Sequence, residues 1–336
     1  FIGDVGRPDL AQKATGLTQE DLASWLFDSL REKIMPLPDD VIVYPAHGAG
    51  SACGKNMSSE TWDTLGNQKA TNYALRQDMT KAEFVNEVTD GLMAPPQYFA
   101  KNAAMNKKGY DSIDNVMAQG NRPLSVEAFE KVLQDDSVVV LDVRDKKDFV
   151  QGYIPGAYFV GLDGSFAPWV GALLTDIQQK IALIVPEGRD EEAVKRLARV
   201  GYDHAIGYLA GGVEAWKNSG RPLQKIHTIS TEEFIKNHYS KEVNILDVRK
   251  PGEYETTHIV DAKNQPLDYF PKGEYKTLDK TKTYYVHCRS GYRSTVASSF
   301  LIEQGLEVVN VVGPFDEIKN DERIPVEGSC PSLISA

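Results

Sequence analysis

Thr283-Tyr284-Tyr285-Val286-His287-Cys288-Arg289-Ser290-Gly291-Tyr292-Arg293-Ser294 is the stretch on which the reading of the whole chain turns. An apolar segment ends at a cysteine. A short turn with two arginines and a glycine follows, and a helical pattern then runs from Thr295 to Gln304. That order puts the cysteine at the C-terminal end of a strand, where open α/β sheets carry their reactive groups. Backbone N–H groups in such a turn form an anion-binding concavity, and the helix start adds its positive end. Neighbouring cations favour a thiolate further. A buried, inert cysteine is the plainer alternative, but Arg289 and Arg293 favour an activated sulfur nucleophile at Cys288.

Spacing narrows the chemistry. Cys288 and Arg293 enclose four residues. A cysteine phosphatase loop holds its arginine one place further on, where this chain has Ser294, so the ring here is tighter and its pocket smaller. The run resembles the active-site loop of rhodanese-type sulfurtransferases, which carry a sulfane sulfur on the cysteine. The resemblance implies Cys288 as nucleophile. It also implies substrate binding by the loop that contains Arg289, Ser290, Gly291, Tyr292, Arg293 and Ser294. His287 either hydrogen-bonds near the loop or packs at the strand end; both readings stay open.

The loop belongs to the second of two repeats. Leu141-Asp142-Val143-Arg144 returns as Leu246-Asp247-Val248-Arg249, and Ser125-Val126-Glu127-Ala128-Phe129 as Ser230-Thr231-Glu232-Glu233-Phe234. Ile154-Pro155-Gly156-Ala157 returns as Ile259-Val260-Asp261-Ala262, at the same offset of 105 residues. A unit this long is a domain, not a solenoid repeat. In the first copy Val138-Val139-Val140-Leu141 and Ile181 to Val185 read as strands, and Glu191 to Val200 as an amphipathic helix. Strands alternating with helices imply a mostly parallel sheet flanked by helices. Aspartate and arginine of the Leu-Asp-Val-Arg element are expected to pair and fix the strand end. Where the second copy has its cysteine loop, the first has Pro186-Glu187-Gly188-Arg189-Asp190, which lacks a cysteine and spends one N–H on proline. The first copy therefore reads as a degenerate rhodanese-like domain that packs or places the others. The expected domains are 1–115, 116–226 and 227–331.

Composition bounds the partners. The chain has 336 residues, a net charge of −11 and three cysteines, Cys53, Cys288 and Cys330. The acidic balance disfavours nucleic acid and anionic membranes. Three scattered cysteines argue against a disulfide framework and for a reducing compartment. No apolar run is long enough to span a membrane, and no signal peptide is evident, so a cytoplasmic protein is expected. A homo-oligomer is compatible with these features. Because the chain opens at Phe1 inside an apolar segment, it reads as a fragment of something longer.

The first third carries two distinctive runs, Phe1-Ile2-Gly3-Asp4-Val5-Gly6-Arg7-Pro8-Asp9-Leu10 and Val41-Ile42-Val43-Tyr44-Pro45-Ala46-His47-Gly48-Ala49-Gly50-Ser51-Ala52-Cys53-Gly54-Lys55. They resemble the second half of a metallo-β-lactamase fold, and in particular bacterial fusions of persulfide dioxygenases to rhodanese domains. The resemblance covers essentially the whole chain. It implies the C-terminal part of a metallo-β-lactamase-like α/β sandwich, with its N-terminal half missing, followed by a degenerate and an active rhodanese-like domain. An intact parent would hold Fe(II). The family's His-x-His-x-Asp-His motif is absent here, and a mononuclear iron site needs two histidines and a carboxylate. No metal, cofactor or dioxygenase activity is therefore expected of this chain. By the resemblance His47 lies near the metal pocket, and Arg7 and Asp9 fix their loop, whereas Asp4 falls after the family's ligand. Cys53 either handles persulfide sulfur or fills a glycine-rich turn as a small apolar group. Cys330 reads as incidental.

The expected function is a sulfurtransferase module of persulfide or sulfide oxidation. Cys288 takes sulfane sulfur from thiosulfate or a low-molecular-weight persulfide and passes it to sulfite or a thiol. Two other classes are consistent with the fold: a phosphatase or arsenate reductase using the same loop, and a non-catalytic rhodanese scaffold.

Overall fold

The protein is described here by a computed structural model covering residues 2–12, 16–46, 59–90, 98–109, 112–240 and 243–328. His47, Cys53 and Cys330 lie outside the described residues. The chain divides into two compact units, Phe1–Lys108 and Gly109–Ala336.

The described part of the first unit is mainly helical. Thr18 starts the helix Gln19–Ser29 with a capping box: its hydroxyl accepts the Asp21 N–H while the Asp21 carboxylate accepts the Thr18 N–H. Thr80 and Glu83 do the same for Lys81–Thr89. Each device satisfies two N–H groups that a helix start leaves without partners. The two helices close over a core of Ala23, Leu30, Leu75, Met79, Phe84 and Val88. One short antiparallel pair, Ile42–Val43 with Asp63–Thr64, is its strand content among the described residues.

The second unit holds both repeats. Each has a five-stranded parallel sheet, and the two sheets share one spatial order. In the first copy Pro123–Leu124, Ala205–Leu209, Lys180–Ile184, Val138–Asp142 and Ala157–Phe159 lie side by side. In the second the row is Thr228–Ser230, Glu307–Val312, Thr283–His287, Asn244–Asp247 and Lys263–Asn264. Counted along each copy, both rows read 1-5-4-2-3. The strands are apolar on both faces, as a sheet covered on both sides requires. Val140, Ala182 and Ile184 join a core with Phe129, Val213 and Trp216, while their neighbours Leu141, Ile181 and Leu183 are fully buried outside that cluster. The strand expected at Ile181 to Val185 runs Lys180–Ile184, and the helix expected from Glu191 runs Asp190–Ala198.

The helix after the cysteine begins earlier than the pattern suggested. It spans Tyr292–Glu303, with Gly291 as its cap in the left-handed region at φ 91°. A left-handed residue is inexpensive only for glycine, so the chain turns sharply there and the helix follows at once. Tyr292, Arg293 and Ser294 are thus first-turn residues, not loop residues. This helix lies between its own sheet and the first copy. Ser294 to Ser299 and Leu301 are all buried. The Phe159 N–H donates to Ser299 Oγ at 3.1 Å, and Tyr158 stacks on Phe300 with ring centroids 4.4 Å apart.

Candidate functional site

Cys288 follows the last residue of the central strand of its sheet, which is flanked by Asn244–Asp247 on one side and Glu307–Val312 on the other. Its side chain is 2% exposed, and the Gly291 N–H donates to its sulfur at 3.2 Å. The two carbonyls inside the turn are engaged elsewhere. Arg289 O accepts the Phe315 N–H at 3.0 Å, and Ser290 O accepts from Lys146 Nζ at 2.9 Å. The carbonyl of Gly291 accepts from the Thr295 N–H and hydroxyl, and Asn310 Nδ2 donates in turn to that hydroxyl. These bonds explain why a buried Asn and Thr belong here: Asn310 Nδ2 orients the Thr295 hydroxyl, which fixes the Gly291 carbonyl, although Asn310 Oδ1 itself is left without a partner. The turn thus offers the sulfur an N–H while its carbonyls are held by other donors.

The side chains of the loop divide by role. Arg289 and Ser290 are exposed. Tyr292 sends its hydroxyl to Gly161 O of the first copy, at 2.9 Å, and so serves the junction between copies. Ser294 is buried and donates to Gly291 O. Arg293 is clamped by Glu253, Nη1 to Oε2 at 2.6 Å and Nη2 to Oε1 at 2.9 Å. The pair is bidentate and charge-assisted, a geometry that holds Arg293 against swinging out toward an incoming anion. Burial by itself would raise Glu253, but the guanidinium overrides it and holds the carboxyl below the ordinary glutamate range. Burial likewise would lower Arg293, and Glu253 overrides it upward. Arg293 is thus paired with a carboxylate that lies outside the cysteine motif, whereas Arg289 is exposed.

Beneath the loop, Arg249 donates from Nε to both Asp247 oxygens at 2.9 Å and from Nη2 to Thr257 O at 2.7 Å. Arg144 and Asp142 repeat the arrangement in the first copy. Both aspartates are fully buried. Burial pushes the Asp142 carboxyl up, against the pull of Arg144. The pairs tie the strand end to the following helix. His287 is buried, stacks on Phe315 at 5.4 Å and has no hydrogen bond at either ring nitrogen. Its Nε2 is 3.7 Å from Asp247 Oδ2. Burial pushes its imidazole below 6.5, with Asp247 opposing. Of its two open readings, packing is the one this geometry fits.

In the first copy the corresponding loop leads into a helix whose first turn is Asp190, Glu191 and Glu192. Arg189 is bound to Asp163 and Glu192. Three carboxylates at a helix N-terminus satisfy its dipole and leave no attraction for an anion.

His47, which the resemblance sets near the metal pocket, lies outside the described residues of the first unit. Asp4 Oδ1 accepts the N–H groups of Val5 and Gly6, Asp9 holds Arg7, and among the described residues no group of three or more His, Cys, Asp or Glu side chains is placed to hold a metal.

Sequence reasoning missed Glu253 and Lys146. A faint signal existed for the first. An acid recurs four residues past the arginine of each Leu-Asp-Val-Arg element, as Asp148 and Glu253. Nothing local marks Lys146, because its partner belongs to the other copy.

Two α/β copies of one topology, the second with a cysteine loop at its central strand, define a tandem sulfur-handling fold of the rhodanese class. The profile of the rhodanese-like domain matches residues 125–219 and 230–321, more than half of the chain, and the chain belongs to that family. It is 35% identical over 91 residues to the putative sulfurtransferase YtwF of Bacillus subtilis, which covers 27% of this chain and 85% of that protein. It is 34% identical over 97 residues to a probable molybdopterin-synthase adenylyltransferase of Porphyra purpurea. That match takes in 29% of this chain and only 25% of the longer relative. The crystal structure of a metallo-beta-lactamase from Staphylococcus aureus is similar at 30% identity and a TM-score of 0.50, covering 62% of this chain and 55% of that one. Among the described residues no helix is long and apolar enough to cross a membrane.

Proposed function

We propose that the chain is a sulfurtransferase that moves sulfane sulfur through a persulfide on Cys288, working beside a metallo-β-lactamase-like domain in persulfide or sulfide oxidation. The observation that carries this reading is the Gly291 N–H on the Cys288 sulfur, at the mouth of a helix and in a family of rhodanese-like domains. The Cys288 thiolate attacks the outer sulfur of thiosulfate or of a low-molecular-weight persulfide. A bond forms between Sγ and that sulfur, and the bond to the leaving sulfite or thiolate breaks, its electron pair departing with it. An acceptor nucleophile, a thiol or sulfite, then attacks the outer sulfur and returns the Cys288 thiolate. No oxidant is consumed. The Gly291 N–H stabilises the anionic sulfur in both halves, as preorganised donors do, and exposed Arg289 draws the anionic donor. The first copy has no nucleophile at its loop and serves as a brace.

Trapping tests the reading. After incubation with thiosulfate, a mass increase of one sulfur is expected on the peptide that carries Cys288. Cys288→Ser is expected to abolish thiosulfate:cyanide transfer with the fold intact. Full transfer by that variant, or turnover of an aryl phosphate in preference to thiosulfate, overturns the proposal.

A further inference from the structure

Ser290 O and the Gly291 N–H are the two ends of one peptide group. The first accepts from Lys146 Nζ at 2.9 Å, and the second donates to Cys288 Sγ at 3.2 Å. Lys146 belongs to the degenerate copy, at the start of the helix Lys146–Gln151. A cation hydrogen-bonded to a carbonyl draws electron density through the amide and makes its N–H a stronger donor, and hydrogen bonds in series strengthen one another in this way. We propose that Lys146 is a positioning residue for sulfur transfer: from the inactive copy it orients and polarises the peptide that holds the anionic sulfur of Cys288. The inference rests on Cys288 being the sulfur carrier.

Three further observations support a built contact. Lys146 is set by its own copy, since Asp145 caps its helix and Arg144 is locked to Asp142. The copies are registered to one another by Tyr292 on Gly161, Ser299 on Phe159 and Glu303 on the Gly156 N–H, so the lysine meets the loop at a fixed place. The fold itself does not need the lysine: at the repeat offset, the second copy has Pro251 in its place. Lys147, the next residue, is exposed and its ammonium makes no such bond to the loop, so it controls for charge alone.

The test uses the full chain with Lys146→Met, Lys146→Arg and Lys147→Met. Lys146→Met is expected to lower kcat for thiosulfate:cyanide transfer about 3- to 10-fold, well short of the roughly 100-fold cost of deleting a donor outright. KM for thiosulfate stays within twofold. With glycine-specific 15N labelling, the Gly291 amide proton should move upfield in Lys146→Met and recover in Lys146→Arg, along with the rate. Lys147→Met should match wild type in both. If wild type shows no Cys288 persulfide, the functional reading fails and not this inference. If the persulfide forms but Lys146→Met leaves both kcat and the Gly291 resonance unchanged, or Lys147→Met lowers kcat equally, the inference is overturned.

Discussion

Glu253 grips Arg293 through both carboxylate oxygens, at 2.6 and 2.9 Å, across forty residues of sequence. The second arginine of the cysteine loop is therefore half of an ion pair. Asp268 lies in the same field: burial pushes its carboxyl up, while Lys250 and Arg293 oppose. The approach to Cys288 carries both signs of charge, and Arg289 is its exposed cation.

Glu253→Gln removes the clamp and leaves a positive charge beside the loop. Partly screened pairs are worth about 0.2–1 kcal/mol, so KM for thiosulfate is expected to fall by a factor of up to about five, with kcat unchanged. Steady-state assays on the variant check this. A higher KM would mean that the pair braces the loop and that its loosening outweighs the freed charge.

His287 links stability to acid. Its folded-state pKa is lowered by burial below 6.5, so the unfolded chain binds the proton more readily. Stability from this group is complete above about pH 6.5 and declines as pH falls from there through the lower folded value. His287→Phe keeps a flat ring against Phe315 and removes the titration. Denaturant melts at pH 7.5 and 5.5 should show a smaller acid loss in the variant than in wild type. Equal losses would mean that the ring is not protonated on unfolding in this range.

Gly291→Ala should separate geometry from strain. At φ 91° an alanine costs about 1–2 kcal/mol, and its Cβ would sit 3.1 Å from Val312 Cγ1. Gly305 has a similar φ of 78°, and a Cβ there would meet only Lys280 Nζ at 3.8 Å. Both variants should lose stability, but only Gly291→Ala should lose sulfur transfer, by about 10- to 100-fold, because it shifts the donor on the sulfur. Calorimetry with transfer assays on the pair decides it. Matched activity losses would assign the effect to stability alone.

Periodic and repeated features were legible in the chain itself. Two copies of one α/β unit, the Asp142–Arg144 and Asp247–Arg249 pairs, and the strand that delivers Cys288 all rest on apolar alternation and on residues two apart. The start of the following helix was misread by three residues, because apolar spacing marks where a helix packs and not where a left-handed glycine lets it begin.

What the sequence by itself determined is the catalogue of local units: which segments become strands, which turn holds the cysteine, and which copy lacks one. These depend on neighbours in the chain, whose spacing the backbone geometry converts directly into structure. Only the tertiary structure decided which distant side chains hold the cysteine loop and its second arginine. Glu253 reaches Arg293 from the helix that follows the neighbouring strand, and Lys146 reaches Ser290 across the junction of the two copies. Partners of that kind are chosen by strand order and by how two domains pack, which a side chain's immediate neighbours in the sequence do not fix.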